Sequence, residues 1–217
     1  MNRAFILISL VLSVSISAFS QTKLFIEPEF YTYGGDHKII AILPFKTTIS
    51  LRPKQMSSLK KGQLEKLQEN ESASIQQSMY SWFLKRKQQG KMWVDVQDVN
   101  TTNAMLSRSE ITYKNLDKLT PAEIAQILQV DAVIKGTFET NTPMSEGAAV
   151  ALGWLFGFYG PTNEATLNLF IYNATDGKVL VNYNKRVTGA IGSSSEELIN
   201  IVMRKASRRI PYTKPKK

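Results

Sequence analysis

Few residues of this chain have the chemistry for catalysis, and their spacing does not gather them. The only histidine is His37, next to Asp36 at the entrance of an apolar run. An imidazole can move a proton near neutral pH, but a general acid–base pair or a metal site needs further groups converging on it. Asp95 and Asp98 form a carboxylate pair by spacing. On a strand, positions i and i+3 point to opposite faces, so the two read as separate solvated or capping residues. Ser193, Ser194 and Ser195 are accounted for by capping the last helix. The chain has no cysteine. That excludes thiol catalysis, Cys-ligated zinc, iron–sulfur clusters and a lipid-anchored N-terminal Cys. A nucleophile elbow, a phosphate-binding P-loop and a dinucleotide fingerprint are all missing from the sequence. The expectation is a protein that is not an enzyme, with no catalytic, metal-ligating or cofactor-binding residues.

The cationic residues are the other chemically active set. The chain carries 27 Lys and Arg against 18 Asp and Glu, a net charge of +9. Seven of the cations, Arg204, Lys205, Arg208, Arg209, Lys214, Lys216 and Lys217, fall after Met203, where no acid occurs. The segment from Gln21 to Met203 is therefore nearly neutral. A nucleic-acid-binding domain shows a basic stripe with interleaved aromatics on its folded surface, so no nucleic acid is expected as a partner. The basic end suits contact with an anionic surface, where each Lys or Arg near the headgroups contributes about 1 kcal/mol. It equally suits the C-terminal dipole of a helix.

The elements that must position these groups read as follows. Residues 1–20 form a signal peptide: Arg3 is its basic start, Ala4 to Ile16 its apolar run, and Ala18-Phe19-Ser20 its cleavage site before Gln21. The run falls short of the roughly 20 residues that span a bilayer as a helix. An exported chain follows, in the periplasm or at the periphery of an outer membrane. Residues 21–37 are an extended lead-in that could add an edge strand. KIIAILPF (Lys38–Phe45) is a buried central strand closed by Pro44. Thr47 to Gly62 is polar and reads as a loop or frayed helix entry.

Gln63 to Gln89 places Leu64, Leu67, Ile75, Met79, Trp82 and Phe83 at helical spacing, and Gly90 ends the helix. Met92 to Val99 reads as a second strand, followed by a short helix from Asn100 or Thr101. Thr120-Pro121-Ala122-Glu123 is a capping box opening another short helix. Asp131 to Thr140 is a third strand. Glu164 to Asn173 and Lys178 to Thr188 flank Asp176-Gly177 as a hairpin. A helix through about Ser207 closes the fold. The order β-α-β-α-α-β-β-β-α describes a single α/β domain, a mixed sheet with helices packed on it.

One segment interrupts the hairpin expected between the third and fourth core strands. Residues 141–161 carry no charge from Gly147 to Gly160. An exposed apolar stretch of that size marks a partner, a membrane or another copy of the chain. Val150, Leu152, Trp154, Leu155, Phe156, Phe158 and Tyr159 are its candidate contact residues, and folding back over the sheet is its other reading.

KIIAILPF, LQVDAVIKGTFE and ATLNLFIYNATDGKVL together resemble the exported α/β domain shared by the CsgG secretion channel, the LpoB-type activators of peptidoglycan synthases and the N-terminal domain of TolB. The resemblance covers Lys38 to Ser207. It implies a bacterial cell-envelope protein, of the kind found as small secreted proteins in Bacteroidetes-type bacteria. The domain is then 38–210, with 211–217 as a basic tail. In CsgG-like proteins an insertion at the place of 141–161 forms a membrane hairpin and a second hairpin follows. Here Val187 to Ser195 leaves no room for the second. The expected function is that of a non-catalytic envelope accessory protein that binds an envelope protein or self-associates through the insertion. The alternatives are a β-hairpin-inserting subunit of an outer-membrane assembly, and an enzyme of unknown type.

Overall fold

The computed structural model describes residues 22–51, 53–141, 164–188 and 195–213. In chain order the elements are β1 (Thr22–Ile26), α1 (Phe30–Gly34), β2 (Ile39–Ile42), β3 (Lys46–Ile49), α2 (Pro53–Ser58), α3 (Gln63–Gln88), β4 (Asp95–Val96), α4 (Val99–Arg108), α5 (Pro121–Leu128), β5 (Ala132–Thr140), β6 (Glu164–Asn173), β7 (Val179–Thr188) and α6 (Ser195–Ser207). Single 3-10 turns occupy Leu116–Lys118 and Pro211–Thr213. The strands form one mixed sheet in the order β1-β7-β6-β5-β2-β4, with β3 also beside β5. β2 and β4 run parallel, as do β2 and β5; the β5-β6-β7-β1 half is antiparallel. The fold is mixed α/β, as the sequence pattern predicts.

Burial follows the pattern of each strand. In β2 and β5, Ile40, Ile42, Ala132 and Ile134 join one core with Ile75, Met79 and Phe83 of α3 and Leu198 and Val202 of α6. Their neighbours Ala41 and Val133 join a second core with Leu106 of α4 and Ile124 and Leu128 of α5. A strand covered on both faces needs a continuous apolar run, which is what KIIAILPF supplies. β6 alternates instead: Ala165, Leu167, Leu169 and Ile171 are buried, while Thr166, Asn168, Phe170 and Tyr172 are half-buried on the opposite face.

Three expectations need correction. Thr47 to Gly62 is not simply a loop: β3 pairs in register with β5, Lys46 opposite Thr137 and Ile49 opposite Thr140. Its two buried side chains, Thr47 and Ile49, sit at alternate positions, which is strand period with a Thr in place of an apolar residue. The second strand is shorter than Met92–Val99. Only Asp95–Val96 joins the ladder, and Met92 and Val94 pack into the core from irregular chain. The lead-in is only partly extended, because α1 interrupts it and delivers Phe30 into the core at 1% exposure.

Between β2 and β3 the three residues Leu43-Pro44-Phe45 face only Lys135-Gly136 of β5. This is a bulge, placed where Pro44 has no N–H to donate. Phe45 covers Gly136: a Cβ built there would lie 2.6 Å from Phe45 Cε1 and also strike the Asn168 carbonyl. Gln76 of α3 donates to the Ile42 carbonyl at 2.7 Å and exchanges hydrogen bonds with Asn103 of α4, both at 3.1 Å.

Local signals set the helix starts and the hairpin. Asp98 caps α4 by accepting from the Asn100 and Thr101 amides. Thr120 and Glu123 form the capping box of α5. Gly177 takes φ +69 in the β6–β7 turn, where the Asp176 carboxylate accepts from the Lys178 amide at 3.0 Å. The strands β5 and β6 are paired to their ends, Thr140 opposite Ala165, and the Glu164 amide donates to Asn141 Oδ1 at 3.0 Å. Residues 142–163, which join them, lie outside the described residues.

Candidate functional site

The last turn of α6 carries Arg204 and Lys205, and the turn that follows carries Arg208 and Arg209. Leu198, Ile199, Val202, Met203 and Ala206 are buried, so the helix is held by one apolar face. Beyond it the chain is pinned again, because Ile210 and Tyr212 are fully buried. Between these anchors Arg204, Arg208 and Arg209 are exposed and Lys205 is half-buried. Among the described residues none of the four has a carboxylate within ion-pair distance. Other lysines do pair: Lys46 and Lys135 with Asp117, Lys114 with Glu65, Lys178 with Glu27.

A fifth cation lies beneath them. Arg86, in the last turn of α3, is 6% exposed. Its Nε donates to Ser207 Oγ at 3.3 Å, and one terminal nitrogen donates to Gln89 Oε1 at 3.1 Å. The other terminal nitrogen, NH2, is buried without a hydrogen-bond partner. Ser207 in turn donates to the Arg204 carbonyl at 3.0 Å, which joins the end of α3 to the end of α6. Burial, and then Arg208 and Arg204, hold the Arg86 guanidinium below its ordinary pKa. Lys85 and Arg86 both lie over the Trp82 ring, at 4.9 and 5.7 Å from its centroid.

A sixth, Lys185, sits on the inner face of β7 at 5% exposure and donates to Thr22 Oγ1 at 2.5 Å. Burial lowers its pKa first, then Lys205 and Arg209. Helix dipoles favour cations in the last turns of α3 and α6 by about 0.3–1 kcal/mol each. That accounts for a basic end of each helix, but not for a guanidinium buried under other cations.

His37 is an element of structure. Its Nδ1 lies 2.6 Å from the Tyr212 hydroxyl and its Nε2 3.1 Å from Asn173 Oδ1, while Asn173 Nδ2 donates to Asp176 Oδ1 at 2.8 Å. The Asn173 orientation makes Nε2–H the donor to its Oδ1; in the neutral ring Nδ1 then accepts from the Tyr212 hydroxyl. Phe30, Tyr31 and Trp93 complete an aromatic cluster around Tyr212. Asp98 caps α4 and Asp95 pairs with Lys87, so the two carboxylates do separate work. Among the described residues no group of three or more His, Asp or Glu is placed to hold a metal, and no helix is long and apolar enough to cross a membrane. A cavity of about 190 Å³ opens between α3, α4 and residues 111–116, with Ser72, Gln76 and Asn103 among its polar lining.

No protein-family model and no curated protein matches the chain. Solved structures do match over most of its length. They include the PelC dodecamer from Paraburkholderia phytofirmans, at 10% identity and TM-score 0.45, over 90% of this chain and 98% of that one. The lipoprotein GNA1162 from Neisseria meningitidis matches at 12% identity and TM-score 0.44, over 80% of this chain and 97% of its own. The LpoB C-terminal domain from Salmonella enterica matches at 7% identity and TM-score 0.31, over 75% and 90% respectively. These identities and overlaps are too low for any residue's role to be carried across.

Of the residues singled out in the sequence, Arg204 and Arg208 lie near Arg86, and Lys205 and Arg209 lie near Lys185. Lys214, Lys216 and Lys217 lie outside the described residues, as do Val150, Leu152, Trp154, Leu155, Phe156, Phe158 and Tyr159. Sequence reasoning missed Arg86 and Lys185. Both had a readable signal, a cation at a core position of the pattern. Arg86 continues the Ile75, Met79, Phe83 stripe, and Lys185 stands where Val181, Tyr183 and Val187 point inward.

Proposed function

We propose that this chain is an exported, non-catalytic accessory protein of the cell envelope that rests its basic end on an anionic surface. It binds an envelope protein, or another copy of itself, through the uncharged stretch 147–160. The observation that carries the reading is the set Arg204, Lys205, Arg208 and Arg209, interleaved with the buried Met203, Ala206 and Ile210 and, among the described residues, without a carboxylate at ion-pair distance. The signal-peptide pattern of residues 1–20 supports export.

Magnitudes explain why two contacts are invoked. At about 1 kcal/mol per cation, the four cations alone give a dissociation constant on the order of 1 mM. Adding Lys214, Lys216 and Lys217 brings it to roughly 10 μM. Such binding is reversible and leaves the choice of partner to the apolar stretch.

Flotation of residues 21–217 with vesicles tests the surface contact. The chain should float with phosphatidylcholine vesicles doped with phosphatidylglycerol and stay behind with phosphatidylcholine alone. A variant carrying Arg204→Glu, Arg208→Glu and Arg209→Glu should lose flotation while keeping its fold. Equal flotation of wild type and variant would refute the reading.

A further inference from the structure

Resting on the anionic-surface reading, the next question is what a buried arginine does under a cluster of exposed ones. An arginine whose residue is 6% exposed is ordinarily matched by a carboxylate. Arg86 has instead a neutral hydroxyl, a neutral amide and an aromatic ring, and NH2 is left over. The hydrogen bond to Ser207 places the guanidinium against the last turn of α6, beside Arg208 and one turn from Arg204. The chain cannot simply swing these away, because Ile210 and Tyr212 are anchored just beyond. Repulsion among the three and desolvation of Arg86 both favour a group that brings negative charge and several acceptor oxygens. A carboxylate has two oxygens; a phosphate can serve several arginine forks at once, which is why arginine clusters are its usual receptors.

We propose that Arg86, Arg204 and Arg208 form a binding site for one phosphate group at the junction of the α3 and α6 C-termini. The group can belong to a lipid headgroup or to a soluble phosphate compound. Ser207 and Gln89 position Arg86, and the Trp82 ring supports its guanidinium. On binding, NH2 gains its missing partner through a small adjustment of the exposed arginines above it.

The test uses residues 21–217 with three probes: inorganic phosphate by calorimetry, phosphatidylcholine vesicles doped with phosphatidic acid, and the same vesicles brought to equal charge with oleic acid. Wild type should prefer the phosphatidic acid vesicles by about tenfold, the value of one charge-assisted hydrogen bond. Arg86→Lys keeps the charge but loses the fork. It should erase the preference and leave binding to the oleate vesicles unchanged. Arg208→Gln, at an exposed position, should reduce the preference without any effect on folding, and circular dichroism with thermal melting checks both variants.

Saturable binding of inorganic phosphate that Arg86→Lys removes would support the site and assign it to soluble phosphates. The lipid preference without phosphate binding would support it and assign it to a headgroup. Equal binding to both kinds of anionic vesicle, with no binding of inorganic phosphate, would overturn the phosphate site and leave the surface reading standing. Phosphate binding without association to either vesicle would support the site and overturn the surface reading. Absence of all three would overturn both.

Discussion

The Tyr212 hydroxyl meets His37 Nδ1 at 2.6 Å across 175 positions of sequence, and this bond ties the segment after α6 to the start of β2. Both rings are held by packing as well: Tyr212 is fully buried against Phe30 and Trp93.

This pair makes stability depend on pH in a defined direction. Burial lowers the His37 pKa below 6.5, opposed by the Asn173 hydrogen bond and by Asp131 and Asp36. The folded state therefore binds the proton less readily than the unfolded chain. The His37 contribution to stability is complete above pH 6.5 and falls as the pH drops below it through the folded value. Urea unfolding at pH 7.5 and pH 5.5 should show the loss, and His37→Gln should remove the difference. Tyr212→Phe should cost about 1 kcal/mol at neutral pH, the value of one hydrogen bond.

The bulge at Pro44 predicts an overpacking effect. Gly136→Ala places a methyl against Phe45 and the Asn168 backbone. It should destabilise by about 1–3 kcal/mol. The cost should shrink in a Phe45→Ala background, where one of the two obstacles is gone; an unchanged cost would place the strain on the backbone alone.

Arg86→Met predicts the opposite sign to most core substitutions. Removing a buried cation that has cationic neighbours and an unpartnered nitrogen should leave stability unchanged or raise it in anion-free buffer. Phosphate binding should fall in the same variant. A loss above about 3 kcal/mol would identify Arg86 as a structural cation instead.

The paired ends of β5 and β6 predict that the intervening segment is dispensable for folding. Asn141 and Glu164 already face one another across a hydrogen bond. Replacing residues 142–163 by Asn-Gly should give an ordinary two-residue hairpin with a melting temperature near wild type. Capture of envelope proteins, and any self-association by sedimentation velocity, should be lost.

Legibility differed from element to element for physical reasons. α3, β5, β6, β7 and α5 were readable because their apolar period, capping box and Asp-Gly turn agree with one another. β3 was hidden because Thr47 fills a buried position and Pro44 breaks the row it continues. α1 has five residues, too few to show a period. At the candidate site, Arg204, Lys205, Arg208 and Arg209 were visible as a run without acids. Arg86 was not, because a periodic stripe is read by its apolar members, and a cation on it is taken for solvent-facing.

Hydrogen exchange of residues 21–217, on and off anionic vesicles, tests the central claim most directly. Added protection should concentrate in residues 204–213 and in the last turn of α3, and should vanish at high salt. Protection that appears elsewhere with these residues unchanged, or none at all, would contradict the account.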